Sequence, residues 1–135
     1  MSQYRLDIPR VAIEFMNRDH DEFAALRERL LARLADGARE AIDAMLDELH
    51  AHTRRHFADE EQLMRDTGFP VYPIHKGEHE RVLGDFTARI AHWQQHGDVA
   101  ALRDWLDAGV GDWLLAHIET MDTVTAGFAA ERQGT

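Results

Sequence analysis

Nine histidines in a chain without cysteine raise the question of a metal held entirely by nitrogen and oxygen. Two pairs have the spacing for it, His75 with His79 and His56 with Glu60, each four residues apart. On an α-helix, residues i and i+4 project from one side, so two rings, or a ring and a carboxylate, can meet a single ion. His20 and His117 stand singly, each in register with apolar residues three and four positions away. Imidazole and carboxylate without thiolate suit iron, manganese or zinc. The lack of cysteine also excludes disulfides, thiolate zinc sites, cysteine-ligated iron–sulfur clusters and a cysteine nucleophile. Spacing alone does not select a ligand. His92 and His96 share the four-residue interval, but they flank Trp93 beside Gln94 and Gln95 where a solvated face is expected. His50 and His52 are likewise read as lying outside the site.

The elements that must position these groups show helical periodicity. Ile13, Met16, His20, Phe23, Leu26, Leu30 and Leu34 advance in steps of three and four, and Asp36-Gly37 stops the run. Ile42, Met45, Leu49, His56, Glu60 and Leu63 form a second face, broken by Gly68-Phe69-Pro70. A third begins at Tyr72-Pro73, where proline suits a first turn, and carries His75, His79, Val82, Phe86, Ile90 and Trp93 up to His96-Gly97. The fourth carries Leu102, Leu106, Val110, Trp113, His117, Met121, Val124 and Phe128, with Gly109 and Gly111 weakening its middle and predicting a kink or a late start. The expected fold is all-α, an antiparallel up-down-up-down four-helix bundle. The expected organisation is one domain over 1–135, with helices at roughly 10–35, 38–67, 72–96 and 98–129 and a frayed tail from Ala129 to Thr135.

All four inner faces then present imidazole or carboxylate. Burying five imidazoles and a carboxylate without partners would cost several kcal/mol, at about 1–3 kcal/mol for each unsatisfied group, and metal coordination offsets that cost. The 135 residues suit one core, and the 15 Lys+Arg against 25 Asp+Glu leave a formal charge of -10. That balance, with the basic residues dispersed, argues against a nucleic-acid or anionic-membrane surface. Met1 to Arg10 has no apolar signal region, and no apolar run approaches the roughly 18 residues of a spanning helix. A soluble, cytoplasmic protein is expected.

The elements His20, His56-Phe57-Ala58-Asp59-Glu60-Glu61, His75-Lys76-Gly77-Glu78-His79 and Trp113 through Asp122 together resemble hemerythrin and the bacterial hemerythrins. That family's order is a first-helix His, then HxxxE, HxxxH and HxxxxD, and all seven positions are filled. The resemblance implies a hemerythrin-like bundle with two iron ions joined by an oxo or hydroxo bridge. By position it implies His75, His79 and His117 on one iron, His20 and His56 on the other, and Glu60 and Asp122 bridging. It also implies that dioxygen binds reversibly at the open position of the two-histidine iron. Leu114 resembles the family position that packs over the oxygen site, and Trp113, Leu114 and Ile118 are expected as walls of that pocket. Met16, Phe23, Met45, Met64 and Phe86 are further apolar residues in register, read mainly as ordinary core. Many relatives have Gln before the first-helix histidine and an early Trp, where this chain has Asp19-His20-Asp21 and Tyr4. Either Asp19 or Asp21 could accept a hydrogen bond from an imidazole N–H and orient it, but one or both are expected to be solvated.

His117 and Asp122 are five residues apart, which on a regular α-helix separates them by about 140°. Convergence of both on one centre therefore predicts a π-bulge in the fourth helix. Ferritin-like di-iron bundles repeat a Glu-x-x-His motif, and no glutamate here has histidine three residues on. The functional expectation is a non-enzymatic oxygen carrier, store or delivery protein. The alternatives are a di-iron sensor of oxygen, redox state or nitric oxide that signals to a protein partner, and a peroxide-scavenging enzyme.

Overall fold

The computed structural model describes residues 3–133, so Met1, Ser2, Gly134 and Thr135, at the ends of the segments read above, lie outside the described residues. Four helices follow one another with no strand among the described residues: α1, Glu14–Arg33; α2, Arg39–Thr67; α3, Tyr72–His96; and α4, a continuous rod over 99–133. They form the antiparallel four-helix bundle that the periodicity predicts.

The first helix begins at Glu14, later than the start near residue 10 expected from the apolar pattern. Asn17 accounts for the difference. Its Oδ1 accepts from the Val11 N–H at 2.8 Å and its Nδ2 donates to the Val11 carbonyl at 2.9 Å, which keeps the preceding chain out of the helix. At the other end α4 stays helical through Gln133, so the fraying expected from Ala129 does not begin there. Buried Ala126 and Ala129 hold that last stretch against Met16 and Leu63.

The turns are set by local chemistry. Gly68 and Gly97 follow α2 and α3 with φ of 68° and 60°, a left-handed conformation that glycine adopts without the steric penalty of a Cβ. Arg39, at the start of α2, donates to the Trp93 and Gln94 carbonyls in the last turn of α3. The Asp98 carboxylate accepts the Ala101 N–H at 3.0 Å and caps α4.

The rod α4 is not uniform. It passes from α-helix (Val99–Asp104) to π-helix (Trp105–Val110), back to α-helix (Gly111–His117), through a second π stretch (Ile118–Asp122), and into α-helix again (Thr123–Gln133). The first π stretch takes the place of the kink expected at Gly109 and Gly111. Arg27, buried in α1, serves it: Nε donates to the Leu106 carbonyl at 2.7 Å and one terminal nitrogen to that of Asp107 at 3.0 Å. The other terminal nitrogen donates to the Tyr4 carbonyl at 2.8 Å, tying the N-terminal segment to the same point. Gly111 makes room for the guanidinium, since a Cβ there would stand 2.9 Å from a terminal nitrogen of Arg27.

The apolar core has two compartments. The larger contains Phe23, Leu30, Leu46, Leu49, Phe86, Trp105, Leu106, Leu114 and Ile118. The smaller contains Met16, Leu63, Ala126 and Ala129. Along α1, α2 and α4 the residues that change compartment bracket His20, Glu60 and Asp122, so a polar layer crosses the bundle between two apolar ones.

Candidate metal centre

That polar layer contains His20, His56, Glu60, His75, His79, His117 and Asp122, all buried. Their donor atoms fall into two overlapping groups, each with its atoms within 4.8 Å of one another. One comprises Glu60, His75, His79, His117 and Asp122, and the other His20, His56, Glu60 and Asp122. Glu60 and Asp122 belong to both. Asp122 lies five positions after His117, and the π stretch that ends at Asp122 turns its carboxylate inward, with Oδ1 3.1 Å from His117 Nε2. The bulge required by this spacing is therefore present. Thr123 closes it, donating from both its N–H and its hydroxyl to the Ile118 carbonyl, the latter at 2.7 Å.

The geometry fits a metal better than a hydrogen-bond network. Imidazole Nε2 atoms lie close to carboxylate oxygens: His56–Glu60 at 2.8 Å, His20–Asp122 at 3.0 Å, and His75–Asp122, His79–Glu60 and His117–Asp122 each at 3.1 Å. Two donors each about 2.1 Å from one ion and at right angles to each other lie about 3 Å apart, so these separations suit a shared ion. Nε2 of His75, His79 and His117, both Glu60 oxygens and Asp122 Oδ1 are buried without a hydrogen-bond partner. Buried acceptors are rarely left so, and several converging on one point mark a place for a cation.

Electrostatics agree. Burial would raise the pKa of Glu60, but His56, His20 and His79 outweigh it and hold the carboxyl well below its usual range. Asp122 is also held low, against burial and the charge of Glu60, by His117, His20 and His75. Burial would lower the pKa of His56, yet Glu60, Asp19 and Asp122 push it up to about 10, and His20 is raised by Asp122 and Glu60 against its own burial. Without metal, the two carboxylates thus keep their charge and draw protons onto neighbouring rings.

Partners at the far side of three rings fix their direction. With Nε2 facing the centre, Nδ1–H of His56 donates to Asp19 at 2.9 Å, that of His79 to Glu61 at 3.0 Å, and that of His75 to Thr125 at 2.9 Å. Such hydrogen bonds set the tautomer and strengthen imidazole as a ligand. Asp19 is buried, although the flanking charges of Arg18 and Asp21 make it look solvated in the sequence; Asp21 is indeed exposed and pairs with Arg10. Sequence reasoning does not single out Glu61 or Thr125. The doublet Glu60-Glu61 beside a ligand motif is a weak signal for the first, and one threonine among Thr120, Thr123 and Thr125 is none for the second. Phe57 stacks on His79 with centroids 3.8 Å apart, and Trp113 stacks on His117 at 4.9 Å.

A cavity of about 10 Å³ adjoins the centre, lined by His20 and His56 of the two-histidine group, by His117 and Asp122, and by Phe23, Phe57, Trp113 and Leu114, among others. Ile118 is fully buried in the larger core compartment and does not line this cavity; Trp113 and Leu114 do. Met16 and Met64 are fully buried, Phe86 stacks against His50, and Met45 packs at the edge of the core. His92 and His96 contact each other on the exposed end of α3. His52, read as outside the site, does lie outside the two groups above, but it is buried.

Comparison with known proteins agrees with this architecture. The family model described as the hemerythrin HHE cation binding domain matches residues 11–129. The chain is 30% identical over 119 residues to the bacteriohemerythrin of Aquifex aeolicus (strain VF5), covering 88% of this chain and 91% of that one. It is 31% identical over 113 residues to the myohemerythrin of Riftia pachyptila, covering 84% and 82%. A crystal structure of a hemerythrin variant superposes with a TM-score of 0.69 at 24% identity, over 89% of this chain and 90% of the other, which supports the fold. With a match across most of its length and these relatives, the chain belongs to the hemerythrin family.

Proposed function

We propose that the chain holds two iron ions between its four helices and binds dioxygen reversibly, for carriage, storage or local delivery. His75, His79 and His117 hold one ion, His20 and His56 the other, and Glu60 and Asp122 bridge them. The observation that carries this reading is the pair of overlapping donor groups sharing two carboxylates, three histidines on one side and two on the other. When bound, the iron pair supplies redox equivalents and an open position for a diatomic ligand on the two-histidine side.

The chain contributes positioning and exclusion. Asp19 holds His56 with Nε2 inward, and Glu61 and Thr125 do the same for His79 and His75. Phe23, Phe57, Trp113 and Leu114 surround the cavity on the two-histidine side with apolar surface. At about 10 Å³ it has room for roughly one molecule the size of water. So small a cavity favours a small ligand over an organic substrate. Histidine-rich ligation with two carboxylates also leaves less anionic charge on the metals than a carboxylate-rich site, disfavouring high oxidation states.

The test is anaerobic loading with ferrous iron, a metal count, and optical spectra while oxygen is added and withdrawn. Two irons per chain and a visible band that appears with oxygen and disappears on its removal are expected. Rapid irreversible conversion would overturn reversible binding in favour of scavenging or sensing. A count that does not reach two would overturn the di-iron assignment.

A further inference from the structure

We propose that Asp19, Glu22 and His52 form an outer site for a borderline divalent cation of the zinc and cobalt class, separate from the inner donor groups. One ligand atom from each of the three lies within 4.8 Å of the others. His52, on α2, is 7% exposed, yet its Nδ1 is buried without a partner and its Nε2 stands 3.5 Å from Glu22 Oε1, at the limit of a hydrogen bond. A contact that long satisfies a buried imidazole poorly, and a cation between Nε2 and the Glu22 carboxylate replaces it with coordination.

The spacing and chemistry fit such an ion. Nitrogen and oxygen ligands about 2.1 Å from a tetrahedral centre lie about 3.4 Å apart, close to the His52–Glu22 distance. Burial lowers the pKa of His52 against the pull of Glu22 and Asp19, leaving a neutral ring with a lone pair to give. Asp19 keeps Oδ2 on His56 at 2.9 Å, while Oδ1 lies 3.6 Å from Nε of Arg18, an exposed side chain free to swing away. Glu22 is half exposed, which gives the site an entrance and leaves water as the fourth ligand. Mixed imidazole and carboxylate donors select the borderline metals over magnesium and calcium.

The experiment equilibrates the iron-loaded, oxidised full chain with cobalt(II), then measures iron and cobalt per chain and the cobalt optical bands. One cobalt per chain above the iron content is expected for the wild type. Glu22→Gln and His52→Gln should each weaken that binding by about tenfold or more, with iron content and helical circular dichroism unchanged. Glu22 is half exposed, so E22Q remains readable even if H52Q folds poorly. Equal cobalt binding in the wild type and E22Q, or no cobalt above the inner content, would overturn the proposal. A low iron count would count against the inner assignment, while the one-equivalent cobalt difference between wild type and E22Q would still decide the outer site.

Discussion

The two π-helical stretches of α4 have the same backbone irregularity and opposite supports. At Trp105–Val110 the carbonyls of Leu106 and Asp107 are taken by Arg27, a fixed cation reaching across from α1. At Ile118–Asp122 the support from the side chain is one hydroxyl, that of Thr123, and the bulge aims a carboxylate at His20, His75 and His117. The first irregularity serves the fold, since its partners are backbone carbonyls and the N-terminal segment. The second serves the site. A π-bulge alone therefore does not mark function; the side chain it redirects, and what that side chain meets, distinguish the two.

The strongest way to break this comparison is Asp122→Ala. Removing a carboxylate that belongs to both donor groups should abolish stable uptake of the inner metal pair, read by metal analysis after desalting. The metal-free chain should keep its helicity but lose part of its thermal stability at neutral pH, because His117, His20 and His75 hold the Asp122 charge against burial and the like charge of Glu60. Metal retained at the wild-type level would place the second bulge in the same structural class as the first.

Acidity and alkalinity should separate the two supports next. His56, raised from 6.5 to about 10 in the metal-free chain, carries a proton at pH 7 that a metal must displace. Calorimetry in buffers of different ionisation heat should therefore show release of about one proton or more per chain on metal uptake at pH 7. A raised folded pKa stabilises fully below 6.5, and that contribution is lost as pH rises through about 10. Glu60 and Asp122, with lowered pKa values, stabilise above 4.5 and 3.8 and lose that contribution as pH falls. Thermal midpoints of the metal-free chain should consequently fall on both flanks. Burial presses the pKa of Arg27 down against the pull of Asp107, but a guanidinium stays charged throughout this range, so the first bulge adds no pH dependence.

Arg27→Met should give the converse of Asp122→Ala. It removes the guanidinium that donates to the carbonyls of Leu106, Asp107 and Tyr4 and that fills the space beside Gly111, and a loss of about 3 kcal/mol is expected in denaturant unfolding. Below the transition, metal content should match the wild type. Lost metal with stability unchanged would reverse the roles assigned to the two bulges.

These roles are unequally legible in the sequence. Ligand spacing is local, so His75/His79 and His56/Glu60 stand out as faces of single helices, and the five-residue interval from His117 to Asp122 by itself calls for a bulge if both meet one centre. Arg27 is not legible, because its acceptors are main-chain carbonyls 79 and 80 residues away and no side-chain pattern announces them. Asp19 and His52 are obscured for a related reason. Each sits among charged or polar neighbours in sequence, and their burial follows from the packing of α1 on α2, which periodicity does not resolve to one residue. The late start of α1 is hidden because the side chain of Asn17 competes with the helix for the backbone of Val11.

The smallest expected effect provides the finest test of the contrast. Thr123→Val keeps the shape of the side chain and removes the hydroxyl that donates to the Ile118 carbonyl at 2.7 Å. That carbonyl still accepts the Thr123 N–H, so it is not left unsatisfied, and the cost should be about 1 kcal/mol or less in the metal-free chain. With metal bound the cost should shrink further, because Asp122 is then fixed from its side-chain end and the bulge is held by coordination. A thermal-shift difference between wild type and T123V that narrows on metal loading would show that the ligands hold the second bulge in place. A difference as large as that of Arg27→Met, and unmoved by metal, would show instead that the hydroxyl is a structural anchor equivalent to the buried guanidinium.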